Sequence, residues 1–110
     1  MIRSISLVAV LLVAMSTISA AHANSTATVQ NNTTYNLGTV AIYASGQPYY
    51  VYVPGPGAFP IYVPTMPTSV VVNSYVVQQG QYGIVTLPSG TKVKVTLAGY
   101  IVSTDQQEVN

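Results

Sequence analysis

The sequence predicts an all-β fold: a small antiparallel β-sandwich, or a partly open barrel, built from two meanders after an N-terminal signal peptide. Three observations predict it. After residue 23, valine, tyrosine, threonine and isoleucine dominate, the composition of a pleated, half-buried surface. Turn residues recur at short intervals between alternating stretches, as in sandwiches and barrels. No segment there carries a 3.6-residue apolar period, so helix is not expected.

The chain opens on Met1-Ile2-Arg3, a short basic start, followed by a mostly apolar run from Ile5 to Ile18. Small residues follow at Ser19-Ala20-Ala21-His22-Ala23, with Ala21 and Ala23 in the A-x-A arrangement of a cleavage site. The apolar run of about 14 residues is shorter than the roughly 17 to 20 that span a bilayer, and no basic stop-transfer cluster follows. Residues 1–23 are therefore read as a signal peptide and residues 24–110 as a single β-domain. The expected location is secreted, at the cell surface or in a periplasm, with no integral membrane span after cleavage.

Beyond the signal, residues 24–35 are expected to add an edge strand at Thr28 to Gln30. The first meander follows. With Ser45-Gly46 as a two-residue loop, Ile42 pairs with Tyr49 and Val40 with Val51. With residues 54–58 as the next loop, Val53 falls opposite Phe59, Val51 opposite Ile61, and Tyr50 opposite Tyr62. Period-two alternation then puts Val40, Ile42, Tyr49, Val51, Val53, Phe59, Ile61 and Val63 on a core face. The other face carries Thr39, Ala41, Tyr43, Tyr50, Tyr52, Pro60 and Tyr62.

Pro64-Thr65-Met66-Pro67 reads as a stiff connector. Residues 69–78 contain two valine runs and read either as a hairpin turning at Asn73-Ser74 or as one long central strand. In the second meander, a turn at Pro88-Ser89-Gly90 pairs Val85 with Val93 and Leu87 with Thr91. A turn at Ala98-Gly99 pairs Leu97 with Tyr100, Val95 with Val102 and Lys92 with Asp105. Inward go Val85, Leu87, Val93, Val95, Leu97, Tyr100 and Val102; outward go Thr86, Lys92, Lys94, Thr96 and Ser103. Residues 105–110 are expected to fray. Two apolar faces, each needing a cover, imply two packed sheets.

The residue inventory argues against catalysis. After residue 23 there is no Cys, His, Arg or Trp, and the charged side chains are Lys92, Lys94, Asp105 and Glu108. No thiol nucleophile, imidazole base or usual zinc or copper ligand set exists, so no cofactor or metal is expected. Two carboxylates three residues apart on a strand end cannot flank a glycosidic bond. Near-zero net charge also argues against nucleic acid or an anionic membrane as partner. Export would permit disulfides, yet none can form. Pro54-Gly55-Pro56-Gly57 lacks the lysine and helix of a phosphate loop and reads as a rigid hairpin loop. Asn24-Ser25-Thr26, Asn31-Asn32-Thr33 and Asn32-Thr33-Thr34 match the glycosylation acceptor pattern, a weak signal in a chain rich in Asn and Thr.

The tyrosines remain. The registers above gather Tyr43, Tyr50, Tyr52 and Tyr62 on one face, where flat rings with polar tips suit a protein contact or sugar stacking. The same rings can equally be cross-strand stabilisers on a wet face. The expectation is a non-enzymatic, exported structural or adhesive surface protein that acts through this face and self-associates. The alternative is a monomeric secreted binding module for carbohydrate or a partner protein, using the same tyrosines. The partners expected are the protein itself, another surface protein or a polysaccharide.

Overall fold

Period-two alternation runs through most strands of the described residues. A computed structural model describes residues 25–107, and the segment assigned to the signal peptide lies outside the described residues. Nine strands form among the described residues: β1 (Ser25–Asn31), β2 (Gly38–Ala44), β3 (Gln47–Val53), β4 (Gly57–Val63), β5 (Ser69–Val72), β6 (Tyr75–Gln78), β7 (Gln81–Thr86), β8 (Lys92–Ala98) and β9 (Ile101–Gln106). In β8 burial alternates residue by residue, with Val93, Val95 and Leu97 fully buried and Lys92 and Lys94 exposed. Such alternation is what a strand shows when one face meets a core and the other meets water.

The strands form two open sheets that do not close into a barrel. One has five strands in the order β4-β1-β9-β8-β7, and the other has four in the order β3-β2-β5-β6. A single core unites their inner faces, drawing Val29, Val95 and Val102 from the first sheet and Val40, Ile42, Val70 and Val72 from the second. Valine dominates because a β-branched side chain fits the pleat and loses little rotamer freedom there.

Several expected registers hold. Ile42 faces Tyr49 and Val40 faces Val51 across a turn in which Ser45 and Gly46 both take positive φ. Val85 faces Val93, and the Leu87 N–H donates to the Thr91 carbonyl at 2.8 Å. Residues 69–78 form a hairpin: Asn73 and Ser74 both take positive φ, as a type I′ turn requires.

The first meander does not form. β3 and β4 are not paired: β3 bonds to β2, and β4 bonds to β1 in the other sheet. The four strands are better described as one two-stranded ribbon bent over. Its distal half (β2–β3) lies in the smaller sheet and its proximal half (β1–β4) in the larger. Asn31 sits at the bend, 1% exposed, and makes four hydrogen bonds. Its Nδ2 donates to the Tyr35 carbonyl at 3.0 Å and the Gly55 carbonyl at 2.8 Å. Its Oδ1 accepts from the Thr33 N–H at 3.0 Å and the Thr33 hydroxyl at 2.7 Å. The proline-glycine segment is thus a crossing between sheets, where the missing N–H groups of Pro54 and Pro56 leave no ladder to continue.

Three further expectations need correction. β1 is not an edge strand, since it lies between β4 and β9 and runs parallel to β9. The β8–β9 hairpin is displaced by two residues, pairing Leu97 with Val102, Val95 with Thr104 and Lys94 with Asp105. The reason is Gly99, whose φ of 61° suits the first central position of a II′ turn, so Gly99-Tyr100 is the turn rather than Ala98-Gly99. A two-residue shift keeps every side chain on its face, which is why the inward set survives except for Tyr100, a turn residue packed at the core's margin. Finally, Asp105 and Gln106 belong to β9 and do not fray.

Edges carry their own chemistry. β3 and β4 are edges on one flank and contain Pro48 and Pro60. Opposite Pro60, the Thr28 N–H points away to the Tyr100 carbonyl; opposite Pro48, the Tyr43 carbonyl points away to the Thr68 N–H. Both are therefore non-hydrogen-bonded pairs, and each proline nitrogen faces the free edge. On the other flank, a Cβ on Gly83 of β7 would lie 3.2 Å from Val77 Cγ2 of β6, so the absent side chain lets those two edges approach.

Candidate functional site

The register of the smaller sheet determines what its outer face displays. Along β2 the outward positions are Thr39, Ala41 and Tyr43, and their cross-strand partners on β3 are Tyr52, Tyr50 and Pro48. On the other side of β2, Ala41 faces Val71 and Tyr43 faces Ser69 of β5. These in turn face Val76 and Gln78 of β6. One row therefore crosses all four strands as Tyr50, Ala41, Val71 and Val76. A second runs from Pro48 through Tyr43 and Ser69 to Gln78.

Among the described residues, no acidic or basic side chain stands on this face. Tyr50 is 62% exposed, Tyr52 59% and Val76 58%, whereas Ala41 is covered between its taller neighbours. Tyr43 is half-buried, and the Thr68 hydroxyl and N–H both approach its carbonyl, at 3.3 and 2.8 Å. The result is a flat, neutral surface of aromatic and aliphatic groups with hydroxyl tips.

Tyr62 is elsewhere. It lies on β4 opposite Thr26, on the outer face of the larger sheet and across the core from the other three. At 68% exposed it borders a small hollow of about 140 Å³ lined by Thr26, Pro60 and Ile61. The structure thus brings Tyr43, Tyr50 and Tyr52 together and separates Tyr62. The expected pairing of Tyr50 with Tyr62 fails for the same reason as the first meander: the crossing after Val53 carries β4 into the other sheet.

The outer face of the larger sheet also exposes large apolar side chains, Tyr62, Tyr82, Ile84 and Ile101, and differs in carrying charge. Thr26, Thr28, Gln30, Thr96 and Ser103 occupy its centre, and Lys92, Lys94 and Asp105 stand towards one end. The Lys94 ammonium lies 4.5 Å from the centroid of the Tyr82 ring, a cation–π contact. Asp105 accepts from Asn32 Nδ2 at 3.1 Å. All the charge of the described residues is on this side or at its rim.

Three contributors to the neutral face escaped the sequence reading. Pro48 was hidden because a proline inside a strand argues against a strand. Val71 and Val76 were hidden in runs apolar on both faces, where period two gives no direction until the Asn73-Ser74 turn is known. Tyr82, exposed on the larger sheet, follows from extending the β7 alternation two positions back from Ile84.

No protein-family model, curated protein or solved structure matches the chain.

Proposed function

We propose that this chain is an exported, non-enzymatic structural or adhesive protein that self-associates through the outer face of its four-stranded sheet. The observation that carries the reading is where the charge lies: the outer face of the four-stranded sheet carries exposed Tyr50, Tyr52 and Val76 and no charged side chain among the described residues, whereas Lys92, Lys94 and Asp105 stand on the other face beside its own exposed Tyr62, Tyr82, Ile84 and Ile101. Tyr50 and Val76 stand exposed at the two ends of an apolar row that crosses all four strands, and a row of this kind, unlike a single scattered apolar residue, supports an interaction face. Tyrosine suits the task because it contributes a large contact area at the cost of only two side-chain torsions. The proline nitrogens at the β3 and β4 edges support contact by face rather than by added strands.

Size argues for a weak contact. From strand spacings of about 4.8 Å and a rise of about 3.4 Å per residue, the face offers on the order of 400 to 500 Å² per copy. Two copies would bury about 1,000 Å² or less, at the lower limit for a specific interface, so association is expected to depend on concentration or to be repeated over many copies.

The test is the double variant Tyr50→Ser with Tyr52→Ser. It should cost about 1 kcal/mol or less of folding stability, the scale of a cross-strand pair, and remove concentration-dependent association seen by light scattering. A loss of several kcal/mol would mean that these rings are core. Unchanged stability with unchanged association would remove the face from the function.

A further inference from the structure

We propose that the loop end of the sandwich holds a second site, a cleft for a neutral saccharide, which meets the tyrosine face only at Thr39. The β1–β2 loop, the β5–β6 turn and the β7–β8 loop converge at one end, where they border an open hollow of about 670 Å³. That volume lies in the range of small-molecule sites, roughly 300 to 1,000 Å³. Leu37, Leu87 and Pro88 supply apolar surface, and Tyr35, Asn36 and Asn73 supply a ring and amides.

The lining selects a chemical class. It contains no acidic or basic side chain, so a charged ligand would lose hydration with no counter-charge to replace it. Neutral amides, hydroxyls and an aromatic ring beside aliphatic surface match a sugar ring, which presents hydroxyls at its rim and C–H groups on its faces. Hydrogen-bonding capacity is also in reserve: neither the Tyr35 hydroxyl nor Asn36 Nδ2 has a partner among the described residues.

The cleft is held open in advance. Asn31 ties the β1–β2 loop to Gly55, as described above. The Thr33 hydroxyl accepts from the Tyr35 N–H at 3.1 Å, and Asn36 Oδ1 accepts from the Gly38 N–H at 2.7 Å. Asn73 Nδ2 donates to the Thr86 carbonyl and fastens the β5–β6 turn to the end of β7. Loops fixed in this way lose little freedom on binding.

The experiment is a titration of the ¹⁵N-labelled protein with cellohexaose, a neutral glucan, and separately with an oligogalacturonate of equal length. Saturable amide shifts at Tyr35, Asn36, Asn73 and Ser89 with cellohexaose, and at least tenfold weaker ones with the anion, are expected. Tyr35→Phe keeps the ring and its packing but removes the hydroxyl, and should weaken cellohexaose binding about fivefold or more. Shifts confined to Tyr50 and Tyr52, equal binding of the anion, full affinity in Tyr35→Phe, or no saturable shift would each overturn the proposal. Self-association is tested independently by the Tyr50→Ser, Tyr52→Ser variant, and the Tyr35→Phe and anion results leave it untouched.

Discussion

Two buried polar residues show how differently one hydroxyl or amide can weigh. Asn31 is buried with every hydrogen-bonding group used, so removing it leaves the Gly55 carbonyl and the Thr33 N–H without that partner. Asn31→Ala should cost about 2 to 4 kcal/mol in urea unfolding, whereas Asn32→Ala, at an exposed position next door, should cost less than about 1 kcal/mol. Thr104 is the opposite case. Its Oγ1 is fully buried and has no partner among the described residues, between Val95 of β8 and Asn31 of β1. Thr104→Val replaces that hydroxyl with a methyl of similar size and should leave stability equal or raise it by about 1 kcal/mol. A loss above 1 kcal/mol would show that the hydroxyl is satisfied in solution. Asn31 also bears on the acceptor motifs: both of its amide hydrogens are engaged inside the fold, so of the two described asparagines in that pattern only Asn32 presents an accessible side chain.

At the scale of the element, register is the quantity to test. Val95→Asp would place a charge in the core and should abolish folding, at a cost of several kcal/mol, while Lys94→Thr one residue away should be tolerated. Equal tolerance of both would mean that β8 is turned over. Circular dichroism and urea unfolding read both outcomes. The edge prolines supply a second prediction: Pro48→Thr with Pro60→Thr restores two donors at free edges and should increase fibrillar aggregation with little change in stability. Much of this level was legible in the sequence because hairpin turns announce themselves. Ser45-Gly46 and Pro88-Ser89-Gly90 each led to the observed pairing. What was not legible was long-range. A proline-glycine stretch is compatible with a hairpin or with a crossing between sheets, and only the partner chosen by β4 decides. That partner, β1, is about thirty residues earlier in the chain, beyond the reach of local propensity. Gly99 misled by one position because a glycine fits either central place of a two-residue turn.

Across the whole molecule, the division of labour follows from topology. The crossing after β3 that broke the expected meander is what sends Tyr62 to the charged side and leaves Tyr43, Tyr50 and Tyr52 on a neutral one. The candidate site was therefore legible in its residue type and in three of its four tyrosines, but its extent over Val71 and Val76 needed the β5–β6 pairing. A neutral face should respond to salt in a characteristic way. Ionic strength screens charge pairs but not apolar contacts, so association through this face should be unaffected or strengthened by added sulfate.

The most direct test of the central claim compares one charge placed on each outer face. Val76→Lys puts an ammonium on the neutral face, at the end of the row shared with Tyr50; Ile101→Lys puts the same group on the opposite face at similar exposure. Sedimentation velocity over a concentration series should find Val76→Lys monomeric while Ile101→Lys associates like the parent. Association lost in both variants, or retained in Val76→Lys, would contradict the assignment of the four-stranded face as the surface through which this protein acts.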